Sequence, residues 1–128
     1  MEDNYFWKVL KNYVWNKLYK NQFLKDQNIS FIPHIFYEDM PFTHECYLKA
    51  GKCLKTNTIL YLYRKRPKSI TQSYFDKERR MSSITAISRT MELKPLTGND
   101  IKLQNKLQDI AFEYIRECRQ ILRNFITD

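Results

Sequence analysis

Hydrophobic positions recur along this chain with two different periods. From residue 101 onward they return every three or four residues. Leu103, Leu107, Ile110, Ala111, Tyr114, Cys118, Ile121, Leu122 and Phe125 form one stripe, and that period predicts a long amphipathic helix. Lys102, Lys106, Arg116, Arg119 and Arg123 lie mostly off the stripe. Thr97 and Asp100 stand ahead of it in capping-box spacing. A second, more basic helix is predicted from about Gln72 to Leu93, carrying Met81, Ile84, Ile87, Ser88 and Met91, and broken by Pro95 and Gly98. Residues 40–50 place Phe42, Cys46, Tyr47 and Ala50 on one face. There Asp39 is the expected N-cap, Pro41 fits the first turn and Gly51 is the expected stop. Shorter helical patterns occupy residues 4–12 and 21–28.

Between these helices the pattern turns strand-like. YVWNKLY (13–19) alternates loosely and is rich in β-formers, so it reads as a strand or as a continuation of the first helix. ISFIP (29–33) is short, β-branched and ended by Pro33. KCLKTN and TILYLYRKR flank Thr56 and Asn57, and Ile59–Tyr63 is the most strand-like run of all. The expected fold class is therefore α+β: a small mixed sheet of short strands covered by helices and ending in two longer C-terminal helices. Residues 1–74 and 75–128 are expected to pack as one compact unit. No repeat or low-complexity segment interrupts the chain.

Composition narrows the function more than the fold. The 128 residues are 43% hydrophobic and 15% aromatic, enough for a core rather than a disordered segment. A net charge of +8 favours phosphate-bearing partners, whether nucleic acid, acidic lipid or nucleotide sugar. Two glycines and no G-x-G-x-x-G or G-K-[ST] leave no phosphate-cradling loop. Cys46, Cys53 and Cys118 lack C-x-x-C spacing and sit among apolar residues, as reduced thiols of a cytoplasmic protein do. With His34 and His44 they match no structural zinc pattern, so no metal site is expected. Neither a signal peptide nor a membrane-length apolar run is read in the chain.

FYEDMPF (36–42) sets Glu38 and Asp39 side by side in an apolar frame. A helix start accounts for the pair, and so does a catalytic carboxylate at the edge of a core. Adjacent carboxylates repel and raise a pKa, whereas a helix N-terminus favours the charged form. Trp15 reads as core more readily than as a sugar-stacking surface. In a strand only one of Asn16 and Lys17 would face a cleft. His34, just ahead of the carboxylates, is either pocket-lining or simply exposed, and His44 is structural.

Three stretches in order, VWNKLYKNQFL (14–24), ISFIPHIFYEDMPFTHECYLKAGK (29–52) and ILYLYRKRPKSIT (59–71), resemble the second half of family 2 glycosyltransferases with the GT-A fold. Members carry a W-N-K-L-Y strand, an E-D pair opening a helix, and a Y-x-x-R-x-x-S-I-T-like segment. The likeness covers roughly residues 12–75. It implies the acceptor-binding and catalytic-base portion of an inverting enzyme that moves a sugar from a nucleotide sugar to a glycan or lipid-linked acceptor.

By that resemblance Asp39 takes the acceptor proton, with Glu38 as its neighbour. Arg66 and Ser69, and with them Tyr63, Arg64 and Thr71, face the leaving diphosphate, where an arginine fork pairs with two oxygens at once. The alternative for that group is a solvated basic loop. Trp15, Lys17 and His34 complete the expected substrate-binding set. The family's nucleotide-binding half carries a D-x-D motif that holds a divalent metal, manganese or magnesium. This chain contains no D-x-D, so it resembles an acceptor-side fragment, inactive alone and without a cofactor of its own. The location implied is the cytoplasm, at the inner face of the membrane where a lipid-linked acceptor lies. The basic C-terminal helices offer either peripheral membrane contact or self-association, or simply pack with a solvated face. The competing reading is a small basic interaction module, binding nucleic acid or a partner helix. The core-like aromatic spacing and the absence of any R-G-F or helix-turn-helix pattern speak against nucleic acid.

Overall fold

A computed structural model describes residues 12–65 and 77–126 of the chain. Four α-helices follow in order: α1 (Asn21–Asp26), α2 (Asp39–Lys49), α3 (Lys77–Met91) and α4 (Ile101–Ile126), with a 3-10 turn over Lys94–Thr97 ahead of α4. The helices predicted near 21–28 and 40–50 form with boundaries within a residue or two, and the final helix read from the Leu103–Phe125 stripe forms over Ile101–Ile126. The one read from Gln72 is seen from Lys77, its first residues and the 4–12 helix lying outside the described residues.

The small mixed sheet does not form: among the described residues there is no strand. Residues 13–19 turn instead, with the Lys17 N–H donating to the Val14 carbonyl at 3.2 Å. Residues 29–33 and 59–63 run without a ladder partner. β-branched and aromatic composition describes residues that suit a half-buried pleated surface, but a strand exists only when another segment pairs with it. Here the helices pack on one another instead, α2 on α3 and α3 on α4.

Two apolar clusters result. In the first, Met40 of α2, Ala86 and Ile87 of α3 and Ala111 of α4 are buried together, with Ile35, Tyr37, Met91 and Ile110 around them. The face of α3 that turns inward differs from the predicted one. Ser82, Ser83, Ala86 and Thr90 are buried, whereas Met81 and Ile84 are each 57% exposed. Small side chains let helix backbones approach closely, which favours the small face over the larger apolar one where α3 packs between α2 and α4. Thr90 satisfies its hydroxyl by donating to the Ala86 carbonyl at 2.9 Å.

The second cluster joins Ile29, Phe42 and Cys46, with Val14, Tyr19, Phe23 and Leu24 packed against it. Phe31 stacks on Phe42 at 4.0 Å between centroids, and Tyr19 meets the same ring edge-on at 5.3 Å. This cluster seats the N-terminal segment and α1 against α2. Thr43 of α2 adds a hydrogen bond from its hydroxyl to the Asn12 carbonyl at 3.0 Å.

Three of the expected caps work differently. Glu38, not Asp39, is the N-cap of α2, without a side-chain cap hydrogen bond. The helix ends at Lys49 because Ala50 turns extended (φ −75°, ψ 124°), so Gly51 is not the stop. Ahead of α4, Asp100 itself caps, its Oδ1 accepting the Leu103 N–H at 3.0 Å. Thr97 closes the preceding 3-10 turn, donating to the Lys94 carbonyl at 2.7 Å.

Candidate active site

The loop that delivers the carboxylate pair has an unusual backbone. His34 (φ 60°) and Tyr37 (φ 64°) both occupy the left-handed region. Side chains other than Gly, Asn and Asp rarely adopt it, and such residues cost about 1–3 kcal/mol each. Tyr37 is held there by packing against the Met40 cluster. Its carbonyl accepts the Met40 N–H at 3.2 Å. The left-handed step turns the chain sharply into α2, so that Met40 is fully buried while Asp39 stays half-buried and Glu38 exposed.

Burial pushes the Asp39 carboxyl above the usual carboxylate range, and the neighbouring Glu38 charge pushes the same way. The backbone N–H groups of Asp39 and Met40, and the Lys17 ammonium, act in the opposite direction without reversing the outcome. Repulsion and desolvation therefore outweigh the helix N-terminus at this position. Burial in turn lowers the Lys17 ammonium below its ordinary range, an effect that Asp39 opposes. Lys17 is held by two acceptors, the Tyr13 carbonyl at 2.6 Å and the Asn16 Oδ1 at 2.8 Å. Behind this pair His44 is 1% exposed. Burial, with a smaller contribution from Lys17, brings its pKa down to about 4, so it is a neutral core residue at ordinary pH. Cys46 is equally inert: burial pushes its thiol up to about 12, far from the reactive thiolate.

Beyond Lys17 lies an aromatic group. Trp15 is the hub, stacked on Tyr13 (5.2 Å, 21°) and on Tyr63 (4.9 Å, 23°) and tilted against Tyr61 (5.2 Å, 32°). Trp15 is 37% exposed and the three tyrosines are about half exposed. The expectation that Trp15 is core is thus overturned. Its segment turns instead of joining a sheet, so the indole packs on another surface element rather than inside.

Of the predicted site residues, Asp39, Lys17, Trp15 and Tyr63 come together, from three separate stretches of chain. Glu38 acts on Asp39 through its charge. Arg64 and His34 are exposed, and nothing in the structure draws either to this group. Arg66, Ser69 and Thr71 lie outside the described residues. Tyr13 and Tyr61 were not singled out by sequence reasoning. For Tyr61 the signal was the two-residue spacing to Tyr63, which sets such a pair on one side of an extended segment; Tyr13 meets Trp15 across a turn, which spacing does not signal. A separate cavity of about 290 Å³, lined by Phe31, Pro33, Phe42, Glu45 and Arg89 among others, contains none of the predicted residues.

A divalent metal, the cofactor of the enzymes this chain resembles, finds no holder in this group. Among the described residues no three His, Cys, Asp or Glu side chains gather to bind one. No helix among them is long and apolar enough to cross a membrane.

Comparison with known proteins gives one partial likeness. Over 61 residues, 47% of the chain, the sequence is 34% identical to the uncharacterized glycosyltransferase EpsJ of Bacillus subtilis (strain 168). The match spans only 18% of that protein's length. The chain matches no family profile, and no solved structure matches it.

Proposed function

We propose that this chain is the acceptor-binding and catalytic-base portion of an inverting family 2 glycosyltransferase, acting on a glycan or lipid-linked acceptor with a nucleotide sugar as donor. One observation carries the reading: a half-buried Asp39 with a raised proton affinity lies within electrostatic reach of Lys17, whose segment continues into the exposed Trp15–Tyr63 stack. The partial likeness to a protein named as a glycosyltransferase points the same way.

In this reading an acceptor hydroxyl donates its proton to the Asp39 carboxylate as its oxygen forms a bond to the anomeric carbon. The bond from that carbon to the diphosphate oxygen breaks, and the nucleotide diphosphate leaves with the electron pair. Attack opposite the leaving group inverts the anomeric configuration. A carboxylate with raised proton affinity is the stronger base for this step. Lys17 keeps the site from accumulating negative charge beside Glu38, and Arg64, Arg66 and Ser69 belong to the leaving-group side. The chain spans only a minor part of the similar protein, and binding of the nucleotide sugar is assigned to a different part of the enzyme.

The test is Asp39→Asn in the full-length enzyme, assayed for sugar transfer and thermal stability together. Transfer should fall by about 10²–10⁴-fold, the usual contribution of a general base. Stability has a definite sign. A carboxyl whose folded pKa is raised binds more protons folded than unfolded, so its ionisation costs stability as pH rises past its ordinary value. Removing that charge should leave the melting temperature unchanged or higher at pH 7, with the difference vanishing toward pH 3. Wild-type turnover by the variant would remove Asp39 from the base role.

A further inference from the structure

The aromatic group beside Lys17 is a surface without a task in the chemistry above. Three tyrosine rings from two distant segments, Tyr13 with Tyr61 and Tyr63, assemble around the Trp15 indole within 5.2 Å of its centroid. Two tyrosines lie nearly parallel to the indole and the third is tilted by 32°. All four remain between 37% and 54% exposed. Rings gathered only to fill a core would be covered, and rings scattered on a surface would not pack against one another.

We infer that this stack is a glycan-binding platform, on which the outer tyrosine faces take the pyranose rings of the acceptor; the inference deepens the proposed transferase reading and rests on it. One face of a pyranose presents C–H groups, apolar and slightly positive, which suit the negative face of an aromatic ring. The ring edges of a sugar carry hydroxyls, and the tyrosines bring phenolic hydroxyls that donate and accept. Trp15 is the positioning residue, since each tyrosine packs against it and its removal takes the platform apart.

Bases also stack on aromatics, and the exposed Arg64 and Lys65 that follow Tyr63 suit a phosphate backbone; what favours a sugar is the position of the rings beside Lys17 and Asp39. Lys17, two residues from Trp15, donates to the Tyr13 carbonyl at 2.6 Å and to the Asn16 Oδ1 at 2.8 Å. It feels Asp39, which is itself beside Glu38. Continuity with Lys17 and Asp39 also places the occupant where an acceptor has to lie, one end on the rings and one hydroxyl toward the carboxylate.

The experiment is titration of the 128-residue chain with neutral hexose and N-acetylhexosamine oligosaccharides of three to six units, followed by calorimetry and saturation-transfer NMR. The expected result is saturable binding, reduced about 3- to 10-fold by Tyr61→Ala or Tyr63→Ala and abolished by Trp15→Ala. Because these side chains are exposed, circular dichroism should show the helices unchanged. Tyr63→Phe separates stacking from hydrogen bonding, and should keep most of the affinity. Oligosaccharide binding untouched by Trp15→Ala overturns the platform. So does an absence of oligosaccharide binding, tight binding of a single-stranded oligonucleotide that needs the same rings, or a dimer in sedimentation that dissociates on Trp15→Ala. None of these readouts involves sugar transfer, so the Asp39→Asn assay judges the base reading independently.

Discussion

Met40 joins the carboxylate pair to the helical core, and truncating it is the most direct test of this architecture. Its side chain is 0% exposed and meets Ala86 and Ile87 of α3 and Ala111 of α4. Met40→Ala costs nothing in helix propensity, because alanine is the better helix former. The loss is therefore almost entirely burial and cavity. Met→Ala in a core costs about 2–5 kcal/mol, and where in that range it falls depends on whether the surroundings collapse. Two of the three buried neighbours are alanines, which already let the helices approach closely and have no side chain to swing into the void. A value no lower than the middle of the range follows, about 3.5 kcal/mol. A domain's whole stability is about 5–15 kcal/mol, so the variant should be visibly weakened but folded. With a urea slope of about 2 kcal/mol/M, the unfolding midpoint read at 222 nm should drop by about 1.5–2 M with the slope unchanged. Met40→Leu, which conserves volume, should cost under about 1.5 kcal/mol. A midpoint shift below about 0.5 M for Met40→Ala would refute the packing of α2, α3 and α4 around this residue.

Other expectations follow from single groups. His44, whose pKa is lowered to about 4, binds fewer protons folded than unfolded between there and pH 6.5. Stability should thus rise with pH across that window, by on the order of 3 kcal/mol, and the slope should flatten in His44→Leu. Denaturation midpoints at pH 4.5, 5.5 and 6.5 check it, and a wild-type slope no steeper than that of His44→Leu would contradict the burial of His44. Asp100→Ala removes the acceptor of the Leu103 N–H and should cost about 1 kcal/mol, whereas Asp100→Asn should restore most of it. Equal stability of all three chains would show that α4 needs no cap.

Much of this was legible in the chain itself. The stripe through Leu103, Leu107 and Ala111 announced α4. The apolar face of residues 40–50 announced α2, and FYEDMPF marked where a carboxylate would meet the core. Those readings held because a helix makes its backbone hydrogen bonds within its own segment, so local spacing is enough to specify it. What local spacing could not settle was everything that depends on a partner. ISFIP and ILYLY carry strand composition, but a strand needs a neighbour, and no other described segment pairs with them. The inward face of α3 was chosen by how closely Ala86 and Ala111 allow helices to approach, not by where its largest apolar side chains fall. The proton affinity of Asp39 was a balance the sequence left open, between Glu38 and burial on one side and the helix start and Lys17 on the other. Only the tertiary structure, by half-burying that carboxylate and turning residues 13–17 so that Lys17 and Trp15 share one surface, decided it.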